Sequence, residues 1–241
     1  MTRNTALRFL EPLESRTGGA AILDALADMV ERAGLQIGDR LPPEVSLASA
    51  LGVGRSTLRE ALNRWEGLGL IRRRQGDGTY LLAKVQTSKG PVPTMVRLEG
   101  EALLRLIEVR RVLESEVVRK AAAHATECQR RGIALLCQRL LTEVDSGRPW
   151  RPADAAFHGA IYDASGNPMF GQILQRLDEA LERSASSPFG RVEFGLASFP
   201  LHRRLSDAIV EGNPDRACAA INDILDSVQA EVEAIIERGI T

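Results

Sequence analysis

The chain has 241 residues, and its 31 basic side chains nearly balance its 32 acidic ones, which gives a formal net charge of −1 at pH 7. This length holds a small domain and a second one with its own core, and the near-neutral total excludes a uniformly basic protein that coats nucleic acid. Since we find neither a signal peptide nor an apolar run of the ~20 residues that cross a bilayer, we expect a soluble, cytoplasmic protein without a membrane partner.

The charge is unevenly distributed along the chain. Residues 40–84 contain eight basic and four acidic side chains, whereas residues 85–241 contain 19 basic and 22 acidic ones. A positive segment inside an otherwise acidic chain is typical of a local nucleic-acid-binding surface.

The N-terminal part predicts two helices. The first 15 residues have few features that favour order, so we expect them to start loosely. Residues 19–33 then predict a helix with an apolar stripe that packs behind the following motif. Pro42 and Pro43 suit the first positions of a helix, so a short helix is expected from Glu44.

A second short helix is predicted directly after a tight turn. Gly52 is a natural stop for the preceding helix. We expect Ser56 or Thr57 to cap the next helix, because Thr57 and Glu60 have the spacing of a capping box. Its apolar positions recur at helical spacing, which leaves a basic and polar face away from the core. The residues predicted on that face are Arg55, Ser56, Arg59, Asn63 and Arg64.

After Gly69 the pattern changes from helical to strand-like. Residues 71–74 and 79–82 flank the sequence Gln75-Gly76-Asp77-Gly78, which is typical of a hairpin turn. The arginines at 72–74 are expected to face phosphate or the minor groove, so Arg74 is a candidate DNA contact. Helix, turn, helix and hairpin together predict a winged helix-turn-helix, whose second helix enters the major groove and reads guanine through arginine.

The remainder of the chain predicts helices only. Residues 86–93 have the glycine, prolines and polar residues of a linker. The helical patterns that follow cover residues 99–125, 127–146, 152–165, 168–186, 191–211 and 214–238. We therefore expect a mainly α protein with an all-α, antiparallel C-terminal bundle of six or seven helices. The three cysteines form no C-x-x-C pair and are expected to be buried free thiols.

Residues 41–80 carry a motif that is shared with a known family. It is L-P-P-E-x-x-L-A-x-x-L-G-V-x-R-x-T-L-R-E-A-L-x-x-x-E-x-x-G-L-I followed by G-x-G-T-Y. This motif resembles the N-terminal domain of GntR-type transcription regulators, which implies DNA contacts at the matching positions Arg55, Ser56, Thr57 and Arg59. The resemblance also implies that Gly76 lies at the tip of the wing. Val45 departs from the pattern, since many relatives have an arginine there, so one DNA contact is missing or replaced.

A second resemblance covers about 140 positions of the helical region. It rests on L-I-E-V-R-R-V-L-E-S-E-V-V-R-K-A-A, then D-A-A-F-H-G-A-I-Y-D-A-S-G-N-P, then H-R-R-L-S-D-A-I. These segments are similar to the FCD effector domain of FadR-subfamily GntR regulators. The resemblance implies a helical bundle around a cavity that binds a small effector, commonly a carboxylate. Many such domains also hold a divalent metal through one aspartate and three histidines.

The metal motif of that family is incomplete in this chain. Asp154 and His158 lie four residues apart, so one helix face presents both side chains. His202 matches the family's second histidine, but Ile224 stands where the third would fall. Asp154, His158 and His202 are therefore candidate ligands of one divalent ion, zinc, nickel or manganese, with water or effector completing the shell. The alternative is a metal-free site in which His158 and His202 bind the effector directly.

Arg110 matches a recurrent FCD arginine on the first helix of the bundle. It is a candidate to bind an effector carboxylate through two hydrogen bonds. The alternative is a surface ion pair with Glu114, which lies four residues further on.

The sequence as a whole predicts a regulator of transcription, a repressor by the commoner behaviour of the family, rather than an enzyme. A homodimer is expected to read a palindromic operator on double-stranded DNA under the control of a small carboxylate. The domains are predicted as residues 1–85 for DNA binding, 86–98 for the linker and 99–241 for effector binding. Two alternatives remain, a metal-dependent enzyme built on Asp154, His158 and His202, and an architectural DNA-binding protein without an effector.

Overall fold

The structure is a computed structural model that describes residues 3–13, 19–88, 92–182, 189 and 193–238. The chain forms two compact units. Among the described residues, the first unit contains those up to Leu103 together with 180–182, 189 and 234–238. The second unit contains residues 104–179 and 193–233.

The first unit contains the predicted winged helix-turn-helix. Its elements, in chain order, are α1 (Arg3–Ala6), α2 (Gly19–Arg32), α3 (Glu44–Leu51), α4 (Arg55–Gly67), β1 (Ile71–Arg74) and β2 (Gly78–Leu81). The two strands pair antiparallel, with Ile71 opposite Leu81 and Arg74 opposite Gly78. The predicted apolar stripe of α4 is buried in the core of this unit and consists of Leu58, Ala61, Leu62, Trp65 and the following Leu68.

The ends of α3 and α4 follow from local backbone chemistry. Gly52 ends α3 in the left-handed conformation, at φ +68°, as its sequence position predicts. The predicted capping of α4 by Ser56 or Thr57 is wrong. The helix begins at Arg55 and Gly54 is its N-cap, without a side-chain cap, so both hydroxyl residues already lie inside the first turn.

The expectation of a loose N-terminus is also wrong for residues 3–13. The short helix α1 leads into a 3₁₀ turn at Leu7–Phe9, and both Ala6 and Leu10 are buried in the core of the first unit. The Leu13 amide donates to the carbonyl of Leu51, 2.9 Å away. This segment is held in place by a few buried apolar residues and by one backbone hydrogen bond to α3, although it is too short to show helical periodicity.

The remaining helices are α5 (Thr94–His124), α6 (Glu127–Asp145), α7 (Arg151–Ala164), α8 (Pro168–Glu182), α9 (Phe199–Val210) and α10 (Pro214–Arg238). Their number in the described residues agrees with the predicted six or seven. The first of them begins at Thr94 instead of 99, because Met95 and Leu98 are buried in the core of the first unit and extend the helix backwards. The domain boundaries at 85 and 99 stay predictions.

The helix predicted from residue 191 begins only at Phe199. Gly195 adopts φ +85° before a 3₁₀ turn at Leu196–Ser198, and this left-handed residue interrupts the pattern. The predicted start of this helix at residue 191 lies outside the described residues, and so does the predicted end of the preceding helix at residue 186.

Two features of the second unit position the side chains that matter below. The helix α6 packs against both α7 and α9. The Arg130 guanidinium donates to the carbonyls of Ala122 and Val210, 2.8 and 3.0 Å away, and so joins the ends of α5 and α9. These contacts fix α7 and α9 as neighbours of one helix.

The prediction of buried thiols is confirmed only for Cys137. Cys128 is exposed and Cys218 is partly exposed, because each lies at the rim of its helix packing rather than in the core. No helix in the described ranges combines the length and apolar composition needed to span a bilayer.

Candidate DNA-binding and effector sites

The predicted DNA-binding residues lie at the start of α4 and on the hairpin. Arg55, Ser56 and Arg59 are exposed, and Thr57 is half-buried. A helix whose N-terminal turn presents exposed arginine and hydroxyl groups is able to donate hydrogen bonds to base edges and to phosphate.

Arg59 is the most restrained of these exposed cations. Its Nε lies 3.4 Å from Oε2 of Glu44, the first residue of α3, while its side chain remains 64% exposed. This pair orients the guanidinium between the two helices without burying it. Val45 follows Glu44 directly and is also exposed, so the position at which the resemblance predicted a cation presents an apolar group to solvent.

Two side chains predicted on the polar face of α4 have partners within the first unit. The Arg64 guanidinium lies 3.0 Å from the Glu99 carboxylate, which is buried at the start of α5. Asn63 accepts a hydrogen bond from Arg73. Arg64, which was predicted to face away from the core, therefore balances a buried carboxylate instead of standing alone on the polar face.

Strand alternation divides the three arginines of β1. Arg73 turns back to α4 and forms an ion pair with Glu66 at 2.7 Å, whereas Arg72 and Arg74 are exposed. Although burial would raise the pKa of the Glu66 carboxyl, its hydrogen bonds from Arg73 lower it. Arg74 stands 5.0 Å from the ring centre of Tyr80. Gly76, at φ +74°, makes the turn between the strands, as its predicted place at the wing tip requires.

The three candidate metal ligands meet in the second unit. Asp154 and His158 come from α7, and His202 comes from α9. The Nε2 atoms of the two imidazoles are 3.3 Å apart, and Asp154 Oδ1 lies 3.4 Å from His202 Nε2 and 3.7 Å from His158 Nε2. One ligand atom from each residue lies within 4.8 Å of the others, which is the arrangement that a single ion requires.

The backbone fixes which nitrogen of His202 faces this cluster. Its Nδ1 lies 3.1 Å from the carbonyl oxygen of Ser198, one helical turn earlier. Since a carbonyl only accepts, Nδ1 carries a proton and donates, so Nε2 is the nitrogen that faces the cluster and that can bind a metal. A ligating histidine is usually held in this way by a carbonyl or carboxylate behind it.

The protonation states in the cluster also suit a cation. Burial lowers the pKa of His158 and outweighs the nearby carboxylates of Asp154 and Glu114, so its imidazole is neutral near pH 7. Burial would raise the pKa of Asp154, but its interactions with His158, His202 and Arg110 lower it. Its Oδ1 is buried and accepts no hydrogen bond from the described residues. Two imidazole nitrogens and one carboxylate oxygen therefore converge on one point, and this ligand set fits a divalent metal.

Arg110 and Glu114 form the ion pair that the sequence offered as an alternative, but it is not a surface pair. Arg110 Nε lies 2.5 Å from Glu114 Oε1, and the Glu114 side chain is only 1% exposed. Sequence reasoning missed Glu114 as a residue of the site. The signal that could have found it was its spacing, because Glu114 lies four residues after Arg110 on the same helix face. Charged residues are rarely buried without a partner, so a buried Arg110 would have indicated a buried Glu114 beside it.

Ile224 contributes no ligand, as its sequence position predicts, and is buried as part of α10. The two polar residues beside it have other partners. Asn222 accepts a hydrogen bond from Arg111 at 3.0 Å, and Asp223 pairs with Arg204 at 2.9 Å. Neither residue replaces the third histidine.

Comparison with known proteins extends over both units. Residues 105–227 match the family profile described as the FCD domain, and residues 19–81 match that of the bacterial regulatory proteins, gntR family. The HTH-type transcriptional regulator LutR of Bacillus subtilis strain 168 is 28% identical over 218 residues, which are 88% of this chain and 100% of LutR. The HTH-type transcriptional repressor NanR of Salmonella typhimurium strain LT2 is 29% identical over 239 residues, covering 93% of this chain and 88% of NanR.

Two solved structures are similar to this chain, and one of them has a TM-score above 0.5. The structure of Lar, which controls the expression of the Listeria monocytogenes agr system, matches with a TM-score of 0.51 at 16% identity, over 92% of this chain and 100% of Lar. A GntR structure from Streptococcus agalactiae has 27% identity and a TM-score of 0.47, over 88% of this chain and 99% of that one.

Proposed function

Because the chain belongs to the GntR family of bacterial transcription regulators and carries a C-terminal FCD domain, we propose that it is an effector-controlled repressor that binds its operator as a homodimer. The buried cluster of Asp154, His158 and His202 carries the effector part of this proposal. An architectural DNA-binding protein has no use for three convergent ligand atoms in the core of a helical domain. The DNA-binding domains and relatives named as regulators exclude the enzyme alternative.

The winged unit supplies the proposed contacts with DNA. Arg55, Ser56, Thr57 and Arg59 would enter the major groove at the start of α4, where arginine recognises guanine O6 and N7. Arg74 and the backbone of Gly76 would contact phosphate or the minor groove from the wing. Two such units related by a two-fold axis would read two half-sites, so the operator should be palindromic.

The helical unit supplies the proposed metal and effector site. Asp154, His158 and His202 would hold one divalent ion, zinc, nickel or manganese. A bound divalent ion supplies two positive charges and open coordination positions for a carboxylate. Arg110 would then meet another oxygen of the same effector.

The charges of the chain's own residues make the metal important for an anionic effector. Asp154 and Glu114 contribute two formal negative charges, and Arg110 contributes one positive charge that already pairs with Glu114. These side chains alone have a net charge of −1 and would repel a carboxylate. We therefore favour an effector that binds together with the metal over one that binds His158 and His202 directly.

The metal part is tested by elemental analysis of the purified, tag-free protein. We expect about one zinc, nickel or manganese ion per chain and its loss in Asp154→Ala, since this variant removes the only anionic ligand of the cluster. Asp163→Ala is the matched control, because Asp163 lies on the same helix and is exposed. A metal content that is equal in both variants, or zero in the wild type, would contradict the proposed site.

The DNA part is tested by selection from a pool of random DNA duplexes. The wild type should enrich an inverted repeat, because a two-fold symmetric protein reads two symmetric half-sites. A reporter gene placed behind the selected sequence should be repressed by the protein in cells. Enrichment of a single, asymmetric site would contradict the homodimer, and no enrichment would contradict the operator itself.

A further inference from the structure

The hairpin of the wing has a third backbone segment along the second edge of β2. The Leu41 amide donates to the carbonyl of Thr79, 2.8 Å away, and Arg40 forms an antiparallel bridge with Tyr80. Tyr80 also lies opposite Arg72 of β1, and residues that lie directly opposite one another share a face of the sheet. The segment before α3 therefore adds Arg40 to the same face of the wing as Tyr80 and Arg72.

This face of the wing is basic and open to solvent. Arg72 and Arg74 are exposed, whereas the opposite face places Ile71 and Leu81 in the core of the first unit. A basic surface on one side of a domain is typical of contact with nucleic acid. Its three arginines outnumber its one aspartate, so its formal net charge is +2. We call this set the outer wing face, and it consists of Arg40, Arg72, Arg74, Asp77 and Tyr80.

Asp77 holds two of these arginines, which come from different segments of the chain. Its Oδ1 lies 3.8 Å from Nη1 of Arg40, and its Oδ2 lies 3.9 Å from Nη1 of Arg74. Both guanidinium groups also lie near the ring of Tyr80, whose centre is 6.0 Å from Cζ of Arg40 and 5.0 Å from Cζ of Arg74. Two guanidinium groups that share one carboxylate are spaced to share one phosphate, because both anions present several acceptor oxygens.

Gly78 leaves room for one of the two guanidinium groups. A Cβ atom at residue 78 would lie only 2.8 Å from Cζ of Arg40, so any larger residue there would displace this guanidinium. The Arg40 side chain is also only 27% exposed, whereas that of Arg74 is 59% exposed. A side chain that is already restrained loses less conformational entropy when it binds a ligand, which favours Arg40 as a binding group over a freely rotating surface arginine.

We propose that Arg40 and Arg74 together bind one phosphate of the DNA backbone, and that Asp77 is the anion that competes with this phosphate. The ligand is a phosphate rather than a base edge, because a phosphate accepts hydrogen bonds from two guanidinium groups at once. This inference rests on the proposed binding of DNA by the winged unit, and it adds Arg40 to the residues that contact the DNA.

The first test measures the affinity of the full chain for the selected operator and for an unrelated duplex of equal length. Fluorescence anisotropy at several salt concentrations gives both the affinity and its salt dependence. Arg40→Gln should weaken binding to both duplexes by a similar factor, about tenfold at low salt, because a phosphate contact is independent of sequence. It should also reduce the slope of log affinity against log salt by about 0.9 for each phosphate contact that is lost.

Two further variants separate a lost charge from a lost structure. Arg40→Lys should retain a slope near that of the wild type, because it keeps the positive charge beside Gly78. Arg32→Gln is the matched control, since Arg32 is an exposed arginine of the same unit that pairs with Asp28 at 3.1 Å. This control should leave affinity and slope unchanged.

Asp77→Asn tests the same site without altering either arginine. It removes the competing anion, so affinity for both duplexes should rise, by less than about tenfold at low salt. The rise should be smaller in the Arg40→Gln background, where one of the two arginines is already absent. Asp28→Asn is the matched control and should have no effect, because Asp28 is 44% exposed, against 49% for Asp77, and pairs on α2 instead.

The outcomes distinguish this site from the proposed function. If the wild type binds the operator but Arg40→Gln keeps the wild-type slope, or Asp77→Asn fails to strengthen binding, the phosphate site is wrong while the proposed regulator stands. If Arg40→Gln weakens binding to the operator alone, the phosphate site is equally wrong. If the wild type binds neither duplex, the site and the proposed function both fail. A reduced slope in Arg40→Gln that Arg40→Lys restores would support the site.

Discussion

The two candidate sites, one in each unit, use arginine in opposite environments. Arg59 in the first unit forms its ion pair with Glu44 while 64% of its side chain stays exposed. Arg110 in the second unit pairs with Glu114, whose side chain is only 1% exposed. The same chemistry is thus a weak surface contact at the start of α4 and a buried interaction beside the candidate metal ligands. The difference indicates that the winged unit is built to exchange its protein contacts for DNA, whereas the helical unit has a preformed polar interior.

The strongest test of this contrast removes the cation of the buried pair. Arg110→Met should lower the free energy of unfolding by about 3 kcal/mol, because it leaves the Glu114 carboxylate buried and uncompensated. This value is the lower end of the range that is usual when one partner of a buried ion pair is removed, because Arg110 itself is 25% exposed. Urea denaturation followed by circular dichroism measures the change.

Arg131→Met is the control for that experiment. Arg131 also pairs with a glutamate four residues away, but it is 65% exposed and Glu127 is 84% exposed. The expected loss is at most about 0.5 kcal/mol. Similar losses in the two variants would show that burial of Glu114 does not distinguish the pairs.

An effect of intermediate size separates two arginines of the recognition helix α4. Arg59→Ala should weaken binding to the selected operator by about 1–3 kcal/mol and leave unfolding within about 0.5 kcal/mol of the wild type. Arg64→Ala should show the reverse pattern. Its loss leaves the buried Glu99 carboxylate without its cation, at a cost of about 1–3 kcal/mol in the free energy of unfolding.

Fluorescence anisotropy with labelled operator and urea denaturation together measure both quantities for each variant. If Arg64→Ala reduced operator affinity as much as Arg59→Ala without loss of stability, the assignment of Arg64 to the interior of the first unit would be wrong.

The smallest predicted effect concerns the exposed Val45. Val45→Arg adds a cation beside Glu44, where many relatives have one, and should increase operator affinity at low salt by less than about tenfold. One added phosphate contact should also steepen the slope of log affinity against log salt by about 0.9. Titrations at several salt concentrations measure this slope. An unchanged slope would mean that residue 45 does not approach the DNA backbone.

The sequence predicted the architecture of the first unit well, because its signals are local. Pro43 and Gly52 each act within one turn of helix, the apolar period of α4 lies within one helix, and the glycines of the wing lie within one hairpin. The cap of α4 was a local failure, since Gly54 rather than Ser56 or Thr57 is the N-cap. The misplacement of Arg64 was tertiary. Nothing near Arg64 in the sequence indicates Glu99 as its partner, since the two residues are 35 positions apart.

The effector site was predicted in part for a related reason. Asp154 and His158 are neighbours on one helix turn, so their joint placement follows from spacing alone. Their proximity to His202 came from the family resemblance, because packing of α7 and α9 against α6 has no local signal. The burial of Glu114 likewise depends on the packed bundle, which periodicity on α5 does not resolve.

We propose that a carboxylate bound at Asp154, His158 and His202 controls operator binding by the winged unit. The most direct measurement is operator affinity of the wild type and of Asp154→Ala, each with zinc, nickel or manganese and a panel of small carboxylates. At least one combination of metal and carboxylate should weaken operator binding of the wild type by about 1–3 kcal/mol. Asp154→Ala should bind the operator equally well in every condition, and an equal response in both proteins, or none in the wild type, would contradict the account.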